Sequence, residues 1–143
     1  MPSQRLLKNM NLFHRSVLKL SFGRCGWTIS KMPVLELTTI GRISAKPRSV
    51  MLTSPYREGD IQVVVASKGG EDTHPDWYLN LQANPEVLVT SKDTNDEPMT
   101  ARAATDSERN RIWPIISNNY ANYANYQKRT DRVIPIVFLE PSN

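Results

Sequence analysis

Apolar positions recur along this chain with two different periods, and the change falls near Pro33. Before it, Leu6, Met10, Phe13, Val17 and Leu20 fall on one side of a helical wheel, and Lys8, Arg15 and Lys19 on the other. That spacing predicts a basic amphipathic helix, which either lies in a membrane interface or packs on its own domain. Gly23 and Gly26 end it. Beyond Pro33, runs rich in β-branched residues predict strands over 34–40, 49–54, 61–66, 86–91, 99–104 and 133–139. The Glu58-Gly59-Asp60 turn would join the second and third of these as a hairpin. A short helix is expected over 75–83, with Pro75 in its first turn and Asn84-Pro85 as its stop. Thr105 and Glu108 read as a capping box opening a helix that carries Ile112, Trp113, Ile115 and Ile116.

About six strands with inserted helices result, without strict alternation. A doubly wound parallel sheet is therefore disfavoured, and a small, partly closed barrel of mostly antiparallel strands is expected. Residues 1–32 form the basic arm and 33–143 the barrel domain. At 143 residues, with 39% hydrophobic and 22% charged positions, the chain has the makings of one folded core. The net charge of +4 belongs to the arm: six basic residues precede the first acid, Glu36. Such an arm favours a membrane surface over nucleic acid. No run reaches the roughly 20 apolar residues of a membrane span. A single cysteine, Cys25, excludes an internal disulfide, and two scattered histidines give no metal site. A cytoplasmic protein, peripheral on the inner face of the membrane, fits these features.

Four constellations can carry chemistry. Arg42, Lys46 and Arg48 crowd one loop with no acid between them, and suit a phosphate or form a solvated turn. Lys68, with Gly69 and Gly70, ends a strand just before a helix, where backbone N–H groups and a cation would meet an anion. Trp77 and Asn80 are one helical turn apart; they either face a planar ring or belong to the core. Tyr120, Tyr123 and Tyr126 recur every third residue among Asn, Ala and Gln, as the wall of a pocket or as packing. No catalytic triad is visible. His74 lacks an evident partner, and nothing in the sequence activates Ser67 as a nucleophile. An enzyme so built borrows its chemistry from a cofactor, which points to redox.

The runs LELTTIGRISAKPRSVML, VVVASKGGEDTHPDWYLNLQANPEV, TARAATDSERNRIWP and YQKRTDRVIPIVFLEP resemble the deazaflavin-dependent nitroreductase family of actinobacteria, over nearly all of 33–141. The resemblance implies a split β-barrel of the FMN-binding type and the 8-hydroxy-5-deazaflavin coenzyme F-420. It implies that Arg42, Ser44 and Arg48, with Ser49, Val50 and Met51, hold the phosphate and acidic tail. Val65, Ala66, Ser67, Lys68 and Gly69, with Trp77, Tyr78, Leu79 and Asn80, would cradle the deazaflavin. Tyr120, Tyr123 and Tyr126 would form the substrate lid, with Ser67 orienting the acceptor and Ser67, Tyr123 or Tyr126 stabilising its charge. Ile43 and Ala45 depart from the lysine and glycine usual in the family. The expected activity is hydride transfer from the reduced coenzyme to a quinone, enone or nitroaromatic. A flavin- or haem-type binding module without turnover is the alternative, and a basic membrane-surface or nucleic-acid-binding protein is a third.

Overall fold

The computed structural model describes residues 28–29, 32–92 and 94–142. The amphipathic segment before Pro33 lies almost wholly outside these residues. The elements run β1 (Thr28–Ile29), β2 (Met32–Ile40), β3 (Pro47–Thr53), β4 (Tyr56–Glu58), β5 (Ile61–Val65), a 3-10 turn (Lys68–Gly70), α1 (Asp76–Ala83), β6 (Glu86–Thr90), β7 (Glu97–Ala103), α2 (Asp106–Asn119), α3 (Ala121–Lys128) and β8 (Ile136–Pro141). Every strand pairing is antiparallel. The order is β1-β2-β6-β7-β8-β5-β4, with β3 on β2, so the sheet curls into a half-barrel open between β3 and β4. This is the mainly β, split-barrel architecture expected.

The side-chain alternation explains the curl. In β5, Val64 turns inward while Val63 and Val65 turn outward; in β8, Val137 and Leu139 point inward while Ile136 and Phe138 point outward. Both strands are covered on both faces, hence the apolar runs Val63-Val64-Val65 and Ile136-Val137-Phe138-Leu139 within them. The inner cluster joins Leu35, Leu37, Val64, Val87, Val89, Met99 and Leu139, and α1 plugs it with Tyr78 and Leu81. The outer cluster is covered by Ile112 and Ile116 of α2 and Tyr123 of α3. The Thr105–Glu108 capping box opens α2: Thr105 Oγ1 accepts from the Glu108 amide at 3.2 Å, and Glu108 Oε1 accepts from the Thr105 amide at 2.9 Å.

Three expectations are corrected. β3 does not form a hairpin with β5; it pairs only with β2, and β5 turns back on the short β4 through Glu58-Gly59-Asp60. Pro55 has no N–H to continue a ladder, and the buried Ser54 hydroxyl donates to the Val63 carbonyl at 2.7 Å, which carries the chain across from β3. Pro75 is the N-cap of α1, in an extended conformation, not part of its first turn. β8 begins at Ile136, because Pro135 lacks the N–H that pairing would use and Val133 is exposed.

Candidate functional site

The two cationic loops meet at the N-terminal turn of α1. Loop 41–48 is a tight turn over 41–46 that runs into the first two residues of β3, where Arg48 pairs with Thr39: the Ala45 amide donates to the Gly41 carbonyl and the Gly41 amide to the Lys46 carbonyl, each at 2.8 Å. Ala45 sits at φ 57, a left-handed value that a Cβ disfavours. Loop 66–74 leads straight into α1. Val50 and Leu52 of β3 and Trp77 and Leu79 of α1 are each half-buried against the inner cluster. They provide partly exposed apolar surface beside outward cations.

Arg42, although exposed, is tied to the protein's own groups. Its Nη1 donates to Asn80 Oδ1 at 2.8 Å, its backbone amide to the same oxygen at 3.1 Å, and its Nη2 pairs with Asp76 Oδ1 at 3.3 Å. Lys46 and Arg48 are exposed, and among the described residues no ion pair involves either. They are the cations available to an acidic ligand. Ser44 and Ser49 are half-buried beside them, with the Ser44 hydroxyl accepting from the Lys46 amide and the Ser49 hydroxyl bonded to Thr38. Met51 is 9% exposed and packs with Val34.

Asn80 and Tyr78 are buried and bonded within the protein. Asn80 is 5% exposed; besides receiving Arg42 it donates to Thr39 Oγ1 at 3.3 Å, so it clamps the first loop to α1. Tyr78 is core, its hydroxyl accepting from Gln82. The expected Trp77–Asn80 ring platform is thereby reduced to the half-buried Trp77, because Asn80 is buried and its oxygen already accepts two bonds from Arg42.

The second loop carries three consecutive left-handed residues, Lys68 (φ 45), Gly69 (φ 65) and Gly70 (φ 84). Lys68 Nζ pairs with Glu71 at 3.5 Å and donates to Thr73 Oγ1 at 3.2 Å. Lys68 therefore shapes the loop, and the Gly70 amide does too, donating to the Ser67 carbonyl. Val65 and Ala66 are buried, whereas the half-buried Ser67 makes no side-chain cap to the turn.

Of the tyrosines, Tyr120 caps α3 while Tyr123 and Tyr126 lie within it, and the rings pack edge to face at 6.5 and 6.1 Å. Tyr123 is 4% exposed, and its hydroxyl is already bonded to Thr53 Oγ1 at 2.8 Å. Burial pushes that phenol up, so it stays protonated and internal. The expectation that all three hydroxyls reach a pocket is corrected: Tyr120 and Tyr126 remain half-exposed.

Sequence reasoning missed Arg132. It is half-buried and donates to the carbonyls of Glu71 (2.7 Å), Ser67 (2.9 Å) and Ala66 (3.2 Å), and to His74 Nδ1 at 3.2 Å. His74 thus has a partner after all. Arginine offers no acceptor, so Nδ1 accepts and the neutral ring carries its proton on Nε2. Burial, then the Arg132 charge, lower the His74 pKa. An arginine 65 residues downstream of Ser67 leaves no local signal.

A family model described as F420H(2)-dependent quinone reductase matches residues 12–141. The chain belongs to this family. It is 40% identical over 134 residues, 88% of this chain and 86% of the relative, to the F420H(2)-dependent quinone reductase Rv1261c of Mycobacterium tuberculosis. A solved structure of an F-420-H2 dependent reductase, FDR-A, superposes with a TM-score of 0.65 at 41% identity, over 76% of this chain and 94% of that one. Another, described as a domain-swapped dimer, gives a TM-score of 0.69 at 36% identity, over 90% and 96%. The donor set fits the coenzyme: exposed Lys46 and Arg48 suit an acidic tail, and the adjoining apolar surface suits a planar ring. No helix among the described residues is long and apolar enough to cross a membrane.

Proposed function

We propose that this chain binds reduced coenzyme F-420 with its ring against Val50, Leu52, Trp77 and Leu79 and its tail over Lys46 and Arg48, and that a quinone is reduced beneath Tyr120 and Tyr126. Family membership makes the chain an oxidoreductase that draws on reduced F-420. The coenzyme, when bound, supplies the hydride. The chain's own residues do the rest. Lys46 and Arg48 fix the tail. The half-buried apolar side chains exclude water from the reacting faces. Ser67 and Tyr126 hold hydroxyls able to give a hydrogen bond to the acceptor oxygen as negative charge develops there.

The observation that carries this reading is the convergence of segments 41–48 and 66–74 on one turn of α1, with outward cations on the first and half-buried apolar side chains on the adjoining β3 and α1. Titrating the protein with F-420 and FMN side by side, each followed by its own fluorescence, tests it. Saturable F-420 binding with menaquinone-analogue turnover is expected. Preferential FMN binding without turnover would sink it and favour a flavin-binding module. The basic arm would bring the site to membrane-held quinone from the cytoplasmic side. Liposome binding that survives deletion of residues 1–31 would remove that part of the proposal.

A further inference from the structure

We propose that Arg132 is a positioning residue that sets which backbone N–H groups of loop 66–74 face the coenzyme ring. The inference rests on the reading of that loop as part of the ring site, and concerns a residue that reading does not use.

The guanidinium gathers carbonyls from both ends of the loop. Ala66 and Ser67 come from its start and Glu71 from its far side. In a planar trans peptide the C=O and the following N–H point opposite ways. Drawing these three carbonyls to one fork therefore turns the amides of Ser67, Lys68 and Asp72 to the other side. Ser67 is right-handed helical (φ −79, ψ −36) and Lys68 has φ 45, the alternation that lines up successive N–H groups into a concave donor array. A non-glycine residue at positive φ costs free energy, so something must hold it there. Arg132 does so from behind.

The hold extends to α3. The residues that follow its C-terminus are stitched to the same loop: Arg129 Nη1 donates to the Gly69 carbonyl at 3.3 Å and Thr130 Oγ1 donates to Asp72 Oδ1 at 2.8 Å. Arg129 also lies 5.7 Å from the Tyr126 ring centre. The segment carrying Arg132 therefore ties the donor array to the helix that carries Tyr126. Lysine, a point donor on a flexible stem, cannot span three carbonyls and an imidazole at once.

The test uses the full chain as wild type, Arg132→Lys and Arg132→Ala. Fluorescence titration gives the F-420 dissociation constant, thermal melting reports the fold, and amide hydrogen exchange is read in the coenzyme-free protein. Arg132→Lys is expected to fold, to lose about tenfold or more in coenzyme affinity, and to exchange its Ser67 and Lys68 amides faster. Millimolar methylguanidinium, but not methylammonium, should restore affinity to Arg132→Ala. A folded Arg132→Lys with wild-type affinity and wild-type exchange overturns the proposal. So does a loss of affinity that follows only the loss of thermal stability and is not rescued. If the wild type itself ignores F-420, the ring-site reading fails, and the exchange rates alone still decide whether Arg132 sets the loop.

Discussion

The two loops of the site are held by opposite means. Loop 41–48 keeps Lys46 and Arg48 at the surface, with Arg42 alone tied back to Asp76 and Asn80. Loop 66–74 turns its own cation inward, Lys68 to Glu71 and Thr73, and is gripped from outside by Arg132. The first offers, in Lys46 and Arg48, outward charge unpaired among the described residues; the second offers fixed geometry with its charge already paired. That division suits a ligand with a flexible acidic tail and a rigid reactive ring. In the proposed complex, charge would set how tightly the tail is held, and backbone geometry how the ring lies.

The largest expected effect breaks the rigid side. Gly70 has φ 84, and a Cβ there would lie 2.6 Å from the Tyr126 carbonyl oxygen and 3.0 Å from Arg129 Cβ. Gly70→Ala should cost about 1–3 kcal/mol from backbone strain, with the overlap adding to it. Urea denaturation reads the loss, and coenzyme binding should weaken with it. Unchanged stability would mean that the loop yields easily and that the contrast with 41–48 is false.

Arg48→Ala breaks the other side in the other manner. It should weaken F-420 binding by about 1–3 kcal/mol, roughly 5–150-fold in the dissociation constant. Fold stability should change by no more than about 0.5 kcal/mol, as at other exposed positions. The loss should shrink at high salt, because exposed charges are screened. A dissociation constant unmoved at low salt would place the tail elsewhere.

What the sequence shows of this contrast follows from how local each cause is. The capping box, the α1 stop and the apolar run of β5 are set by neighbours a few residues away, and they are found where the pattern puts them. The cationic triplet was legible as composition, but its sorting into one tied and two outward cations depends on Asp76 and Asn80 from another element. The β3–β5 hairpin failed because Ser54-Pro55 permits either a turn or a crossing, and only tertiary bonds such as Ser54 to Val63 decide. Arg132 is the extreme case: all the partners of its guanidinium lie 58 to 66 residues upstream.

A smaller effect separates the tyrosines. Tyr123→Phe removes the hydroxyl bonded to Thr53 and should cost about 1 kcal/mol of stability, with quinone turnover kept. Tyr126→Phe should show the reverse, lowering turnover more than coenzyme affinity or stability. Equal turnover losses in both would return Tyr123 to the acceptor side of the site.

The smallest effect sharpens the rigid side through pH. The His74 ring lies 3.2 Å from Arg132 through Nδ1 and 4.8 Å, centre to centre, from the Tyr78 ring, while Glu71 and Asp72 are the acids acting on Arg132. Its folded pKa is lowered, first by burial and then by Arg132. The unfolded chain takes up this proton near the ordinary value of about 6.5, so below it the unfolded state binds more protons than the folded one. Stability must then be full above about 6.5, fall as pH drops toward the folded pKa, and level off beneath it. Glu108, held down to about 2 chiefly by Arg102, contributes a separate loss from its ordinary 4.5 downward. Urea midpoints measured across pH should therefore show two steps. His74→Asn keeps a side-chain acceptor but cannot titrate, and should erase the upper step while leaving the lower one. If the upper step survives, His74 does not titrate against Arg132, and the grip on loop 66–74 is independent of pH.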